Sequence, residues 1–240
     1  MSRSARLFFP AFLICLSLMA CGQAAPEALP PEEIIARSVE RMTGLDSFHF
    51  VIDRSGAPAY LDDEESLSFS RAEGDFIAPD RATADIRVIA PGLVAELSII
   101  AIGEDYWETN LLSGQWQALP TGAGFNPAVL FDPQRGLQPV LENDLTDLQL
   151  AGVAELDELP GQKLYRLTGR VAGENLVAMS YAMIGPQPMD IQLWIAPQTF
   201  ELYRILITEP TADPADPTIW QLDFWNFNTP VTIAPPPIEP

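Results

Sequence analysis

Positive charge is what this chain most lacks. Thirteen Lys and Arg stand against 33 Asp and Glu, giving a formal net charge of −20 over 240 residues, and Lys163 is the only lysine. Neutralising phosphates needs clustered Lys and Arg, so nucleic acid is excluded as a partner and docking onto anionic headgroups is disfavoured. Histidine is scarcer still: His49 stands alone, in an alternating strand pattern opposite phenylalanines, and reads as a strand residue rather than a general base. There is no G-x-S-x-G elbow, no H-E-x-x-H and no phosphate-cradling glycine loop. Cysteine is limited to Cys15 and Cys21, which offers no pair for a metal or a framework of disulfides. After Leu18 no apolar run approaches the roughly 20 residues a membrane-spanning helix needs.

What is present begins at the N-terminus. Arg3 and Arg6 precede an apolar stretch from Leu7 to Leu18, broken only by Pro10 and Ser17, and the run Leu18-Met19-Ala20-Cys21 ends it. This is the layout of a secretory signal, residues 1–20, closing on a lipidation site at Cys21. The competing reading is an ordinary cysteine beside a soluble-protein cleavage site, which Met19 favours because lipidation motifs carry a smaller residue there. Cleavage would remove Cys15, shift the net charge to −22 and leave 220 residues, enough for one sizeable core. Acyl chains on Cys21, palmitate among them, would anchor the protein stably, since each buried CH₂ contributes ~0.8 kcal/mol. The body would then sit on the extracytoplasmic face of the cell membrane, and residues 21–31, rich in Ala, Pro and Glu, form a flexible tether.

The segment Glu32–Met42 places Ile35, Val39 and Met42 on one helical face and stops at Gly44. Most of the rest alternates as strand. Phe48, Phe50 and Ile52 share one face, and further runs cover residues 85–88, 93–102, 163–171, 189–195, 202–208 and 219–227, parted by turns such as Ala90-Pro91-Gly92. A helical patch is expected over Asn126–Glu142, with Leu130, Leu137, Val140 and Leu141 as its apolar positions and Pro133 and Gly136 as breaks. The acidic run Asp62-Asp63-Glu64-Glu65 lacks calcium-loop spacing and reads as a solvated turn. The tail from Thr229 to Pro240, with three consecutive prolines, continues neither strand nor helix. Nothing resembling a linker interrupts residues 32–228, so one domain is expected.

Several strands are apolar on both faces. In residues 93–102, Leu93, Ala95, Leu97 and Ile99 point one way and Val94, Ile100 and Ile102 the other. A sheet with one wet face alternates more cleanly. Either helices cover a face that lines an apolar cavity, or the sheet folds into a filled core.

The lipidation motif at Cys21, the helix running into Ser47-Phe48-His49-Phe50, the strand Asp105-Tyr106-Trp107, then Gln115-Trp116 and Phe125-Asn126-Pro127 form a recurring order. The late strands Ile191-Gln192-Leu193-Trp194-Ile195 and Tyr203-Arg204-Ile205 complete it. This arrangement resembles the LppX/LprA/LprF/LprG family of envelope lipoproteins, whose fold is similar to that of the LolA and LolB lipoprotein carriers. The resemblance covers most of the mature chain. It implies a mostly β member of the α+β class, a curved antiparallel half-barrel with a few helices closing its concave face around an apolar cavity. It further implies a carrier that holds the acyl chains of a lipid or glycolipid during transit in the cell envelope. The expected cavity lining is Phe48, Phe50, Leu97, Ile99, Trp107, Trp116, Trp194 and Phe224. Such a protein is a monomer, needs no cofactor or metal and performs no covalent chemistry; a lipid exporter is a candidate neighbour. The alternative is an anchored, non-enzymatic module with a filled core that binds a protein or glycan. A hydrolase using two carboxylates is a third reading, and no pair of acids is singled out for it.

Overall fold

The computed structural model describes residues 29–61, 64–120, 126–211 and 213–237. The signal segment, Cys21, most of the tether, Asp62, Asp63 and Phe125 lie outside them. Helix α1 (Pro31–Thr43) starts with proline at its first position and carries Glu32 and Glu33 in the first turn and Arg41 in the last, the polarity that suits the helix dipole. Ile34, Ile35, Val39 and Met42 are buried along one side. Arg41 donates to Glu201 at 2.6 Å and so ties the helix to a distant turn.

Twelve strands follow: β1 (Ser47–Ser55), β2 (Ala59–Tyr60), β3 (Ser68–Ile77), β4 (Arg81–Ala90), β5 (Leu93–Ile102), β6 (Asp105–Thr109), β7 (Trp116–Leu119), β8 (Leu145–Ala154), β9 (Leu164–Val171), β10 (Met189–Ile195), β11 (Leu202–Glu209) and β12 (Thr218–Trp225). They form one antiparallel sheet in the order β7-β6-β5-β4-β3-β1-β12-β11-β10-β9-β8, with β2 added beside β3. The two end strands do not pair with each other, so the curved sheet stays open. The expected patch over 126–142 resolves into a 3₁₀ helix (Pro127–Phe131) and helix α2 (Leu137–Asn143). Asp132 accepts from the backbone N–H of Gln134 and Arg135 in the turn between them, where Pro133 and Gly136 interrupt the helix. A short helix α3 (Glu174–Val177) follows β9.

One face of the sheet carries the core. Phe48, Phe50 and Ile52 of β1 share it with Trp220, Leu222 and Phe224 of β12, and with Ile205, Ile207, Leu193 and Ile191 beyond. On β3 to β5 several inward positions are small: Ala72, Gly74, Ala82, Ala84 and Ala101. Gly74 is required there, because a Cβ would lie 1.8 Å from the carbonyl oxygen of Thr83. The apolar reading of residues 93–102 holds for Ile99, while Leu93 and Val94, at the hairpin tip, are 58% and 59% exposed.

The opposite face is a lattice of cross-strand polar pairs. Asp53 faces Arg71 and Arg204 faces Asp223, and both pairs are hydrogen-bonded. His49 contacts Asp75 at 2.9 Å and lies 4.6 Å from the Trp225 ring. Beyond β12 the tail runs back along the sheet without forming an element. Asn228 donates its N–H to Ser47, the Thr229 carbonyl accepts from the Ser47 hydroxyl, and Ile233 is buried.

Candidate functional site

Beside α1, the inner face is covered by short elements. The 3₁₀ helix has five residues, α2 seven and α3 four, and none of these lengths makes a stable helix without packing. Each contributes apolar side chains downward: Leu130 and Phe131, then Leu137, Val140 and Leu141, then Leu176 with Met179 from the following turn. Phe131 is the centrepiece. Its ring centroid lies 4.9 Å from Phe48, 5.1 Å from Phe50, 5.1 Å from Phe76 and 6.1 Å from Phe224. It occupies the middle of the concave surface, above the strip of alanines and Gly74.

Two small voids remain beside it. One of about 20 Å³ lies between α1, α2 and the sheet, lined by Ser38, Met42, Phe48, Phe131 and Gln138 among others. The other, about 40 Å³, lies beneath α3 among Phe69, Leu176, Met179, Met183 and Trp220. Leu137 lines both. The polar side chains around the second void are already paired: the Ser180 hydroxyl donates to Val177 and accepts from the N–H of Ile184, and the Trp220 indole donates to Glu209. The conformation described is therefore closed: neither void approaches the several hundred Å³ of an ordinary ligand site.

The segment after α3 is fastened to the sheet through Glu209. Glu209, buried at the end of β11, accepts from the backbone N–H of Gly185 at 2.7 Å, from Gln187 at 2.9 Å and from the Trp220 indole at 3.2 Å. Within the covering segment, Tyr181 and Ala182 both have positive φ, a conformation that non-glycine residues adopt at a cost. Met179 and Met183 give this lid side chains that repack easily.

Of the eight residues expected to line a cavity, Phe48, Phe50, Leu97, Ile99 and Phe224 share the inner face. Trp107, Trp116 and Trp194 do not. Trp107 pairs with Ile100 and Ala118, and Trp116 with Thr109, positions on the outer side of β5 to β7. Trp194 is buried on the outer face with Leu156, Leu164 and Ala196, where the β8–β9 connection folds over the sheet. Sequence reasoning missed Phe131, Gln138 and Glu209. For Phe131 a signal existed, an apolar run between Pro127 and Pro133; for the other two there was none.

A roomier depression lies outside. A groove of about 590 Å³ runs between that connection and the outer faces of β11, β12, β1 and β3, with Tyr203 and Trp225 among two ion-paired arginines. Arg71 lowers the Glu73 carboxyl from its ordinary value against opposing desolvation, with His49 adding to it. A backbone hydrogen bond within its own residue, then Arg204, lowers Glu158. Desolvation works against the Arg204 charge, but Asp223 and Glu158 outweigh it and raise its pKa. Among the described residues no cluster of His, Cys, Asp and Glu could hold a metal ion.

This sheet under a thin helical cover is shared with known proteins. The structure is similar to that of LprF from Mycobacterium bovis, with a TM-score of 0.65 and 18% identity over 86% of this chain and 96% of that one. It is also similar to lipoprotein LppX from Mycobacterium tuberculosis, with a TM-score of 0.59 and 20% identity over 85% and 98%. By sequence, the lipoarabinomannan carrier protein LprG of Mycobacterium tuberculosis is 24% identical over 176 residues, 72% of this chain and 69% of LprG. Residues 30–233 match the LppX_LprAFG lipoprotein family, and the chain belongs to that family.

Proposed function

We propose that the protein is a lipid carrier that takes the acyl chains of a lipid or glycolipid between the inner face of its sheet and the cover formed by the 3₁₀ helix, α2 and α3. One observation carries the reading: an apolar surface is roofed, beside α1, by three elements too short to be stable alone, with a single ring, Phe131, filling its centre. Lifting that ring would enlarge the first void, and a shift of Leu137, which lines both, would join it to the second. An acyl chain entering there would leave water and gain ~0.8 kcal/mol per CH₂, which offsets the packing lost as the cover opens. Relatives that carry lipoarabinomannan support a glycolipid as cargo. No step needs covalent chemistry. Lipidation of Cys21 would hold the body on the outer face of the membrane, at the end of the tether, as a monomer within reach of a lipid exporter.

A second reading is favoured by the outer groove, which is far larger than either inner void. It makes the protein an anchored module that binds a protein or glycan on the outer face over a permanently filled core. Native mass spectrometry of a Cys21→Ser chain, followed by identification of what denaturation releases, separates the two. Co-purified diacyl or triacyl lipid is expected. A clean apo mass, with no uptake of added phospholipid or glycolipid, overturns the carrier and leaves the partner-binding module.

A further inference from the structure

We propose that the void between α1 and α2 is the polar pole of the lipid site, where Gln138 accepts a hydrogen bond from a hydroxyl or amide N–H of the cargo; this rests on the carrier reading above. Gln138 is only 9% exposed, and its Oε1 is buried without a hydrogen-bond partner. Among the described residues no other buried side-chain oxygen or nitrogen is left so. A buried acceptor without a donor is costly and uncommon in folded proteins, so one that persists in a void invites a donor from outside.

The surroundings fix what that donor belongs to. Gln138 lines a void otherwise formed by Val39, Met42, Phe48 and Phe131, with Ser38 on the facing helix as its polar neighbour. In the closed state the space of about 20 Å³ holds one water at most. The second void, across Leu137, has no unpaired polar group, because Ser180 is already committed twice. An amphiphile laid through both spaces therefore meets one unpaired acceptor, beside the Ser38 hydroxyl, at one end and hydrocarbon, methionine sulfur and ring edges at the other. Its donor-bearing group lies against α1 and α2, and its chain end lies beneath α3. An oxygen that accepts cannot satisfy a ligand group that also only accepts, such as an ester or an ether. The ligand class selected is a neutral acyl lipid with a free hydroxyl or amide N–H near the start of its chain, as in an acylglycerol.

Two probes of equal chain length separate this from simple burial. The full-length chain carrying Cys21→Ser is titrated with 1-monolauroylglycerol, which has free hydroxyls, and with methyl laurate, which has none, following tryptophan fluorescence and confirming stoichiometry by native mass spectrometry. The expected preference for monolauroylglycerol is about tenfold, the scale of one well-made hydrogen bond in a dry site. Gln138→Leu is expected to collapse that ratio toward one and to raise the unfolding temperature of the free protein, since the unpaired acceptor is gone. Gln138→Met, unbranched and of similar length, repeats the test if the leucine variant folds poorly. A preference that survives both substitutions overturns the proposal, as does an equal affinity for the two probes in the unsubstituted protein. If neither probe binds, the carrier reading fails first and the inference falls with it.

Discussion

Replacing Phe131 with alanine should weaken the fold and tighten lipid binding at the same time. A buried phenylalanine removes roughly 150–250 Å² from water, which at about 25 cal/mol per Å² bounds its contribution near 4–6 kcal/mol. Measured Phe→Ala losses run about 3–5 kcal/mol. Contacts with Phe48, Phe50, Phe76 and Phe224 place this ring toward the upper part of that range, so a loss of about 4 kcal/mol is expected in urea unfolding. Most domains are stable by about 5–15 kcal/mol, so the variant should remain folded. Binding responds with the opposite sign. In the unsubstituted protein the apparent affinity for an acyl chain is reduced by the fraction of molecules whose ring is displaced. Without the ring that step disappears, and the dissociation constant for monolauroylglycerol should fall by about tenfold or more, each factor of ten being ~1.4 kcal/mol. Added lipid should then restore part of the lost unfolding temperature through mass action. A variant that binds lipid more weakly, or loses less than about 2 kcal/mol, would refute the idea that Phe131 closes the site.

Other expectations follow from single contacts. Gly74→Ala places a Cβ within 1.8 Å of the Thr83 carbonyl oxygen; because that atom is backbone, β3 and β4 must part, and a loss of at least ~2 kcal/mol in urea unfolding is expected. Glu209→Ala leaves the donors of Gly185, Gln187 and Trp220 without their acceptor, so amide exchange should quicken across residues 173–187 well before the strands respond, whereas Glu209→Gln, which keeps an acceptor, should fall between. Glu73 and Glu158 have folded-state pKa values lowered below 4.5, so their contribution is present above that value and disappears as pH falls through the lowered one. Unfolding midpoints measured from pH 6 to pH 3 should therefore drop more steeply for the parent than for a Glu73→Gln/Glu158→Gln double variant. Parallel curves would remove these two groups from the acid response.

The sequence pattern was most legible where period two was uninterrupted. Strands β5 and β10 fall where alternation places them, residue for residue, and Phe48, Phe50 and Ile52 share one face as alternation expected. Strand β3 was missed because Arg71, Glu73 and Asp75 lie outward and Gly74 faces inward with no side chain, leaving little apolar signal. Strand β8 was missed because register shifts near Thr146 and Leu150 interrupt its period. The tryptophans misled for a different reason. A large ring announces burial but not which face it occupies, and Trp194 is buried by a loop on the outside of the sheet. Gln138 and Glu209 could not be singled out, since their importance lies in what surrounds them rather than in any spacing.

The pairing of β1 with β12 has a bearing on how the chain reaches its folded state. Phe50 meets Phe224 across the middle of the sheet, while β3 to β7 and β8 to β11 are two separate series of neighbouring hairpins. Each series can form early from contacts close in sequence, but the strand that joins them is almost the last to leave the ribosome. Until it arrives, the first strand presents an open edge and the greasy inner surface has no complete floor. A polypeptide threaded outward N-terminus first would thus stay loose for nearly its whole passage and lock only once its final strand is free.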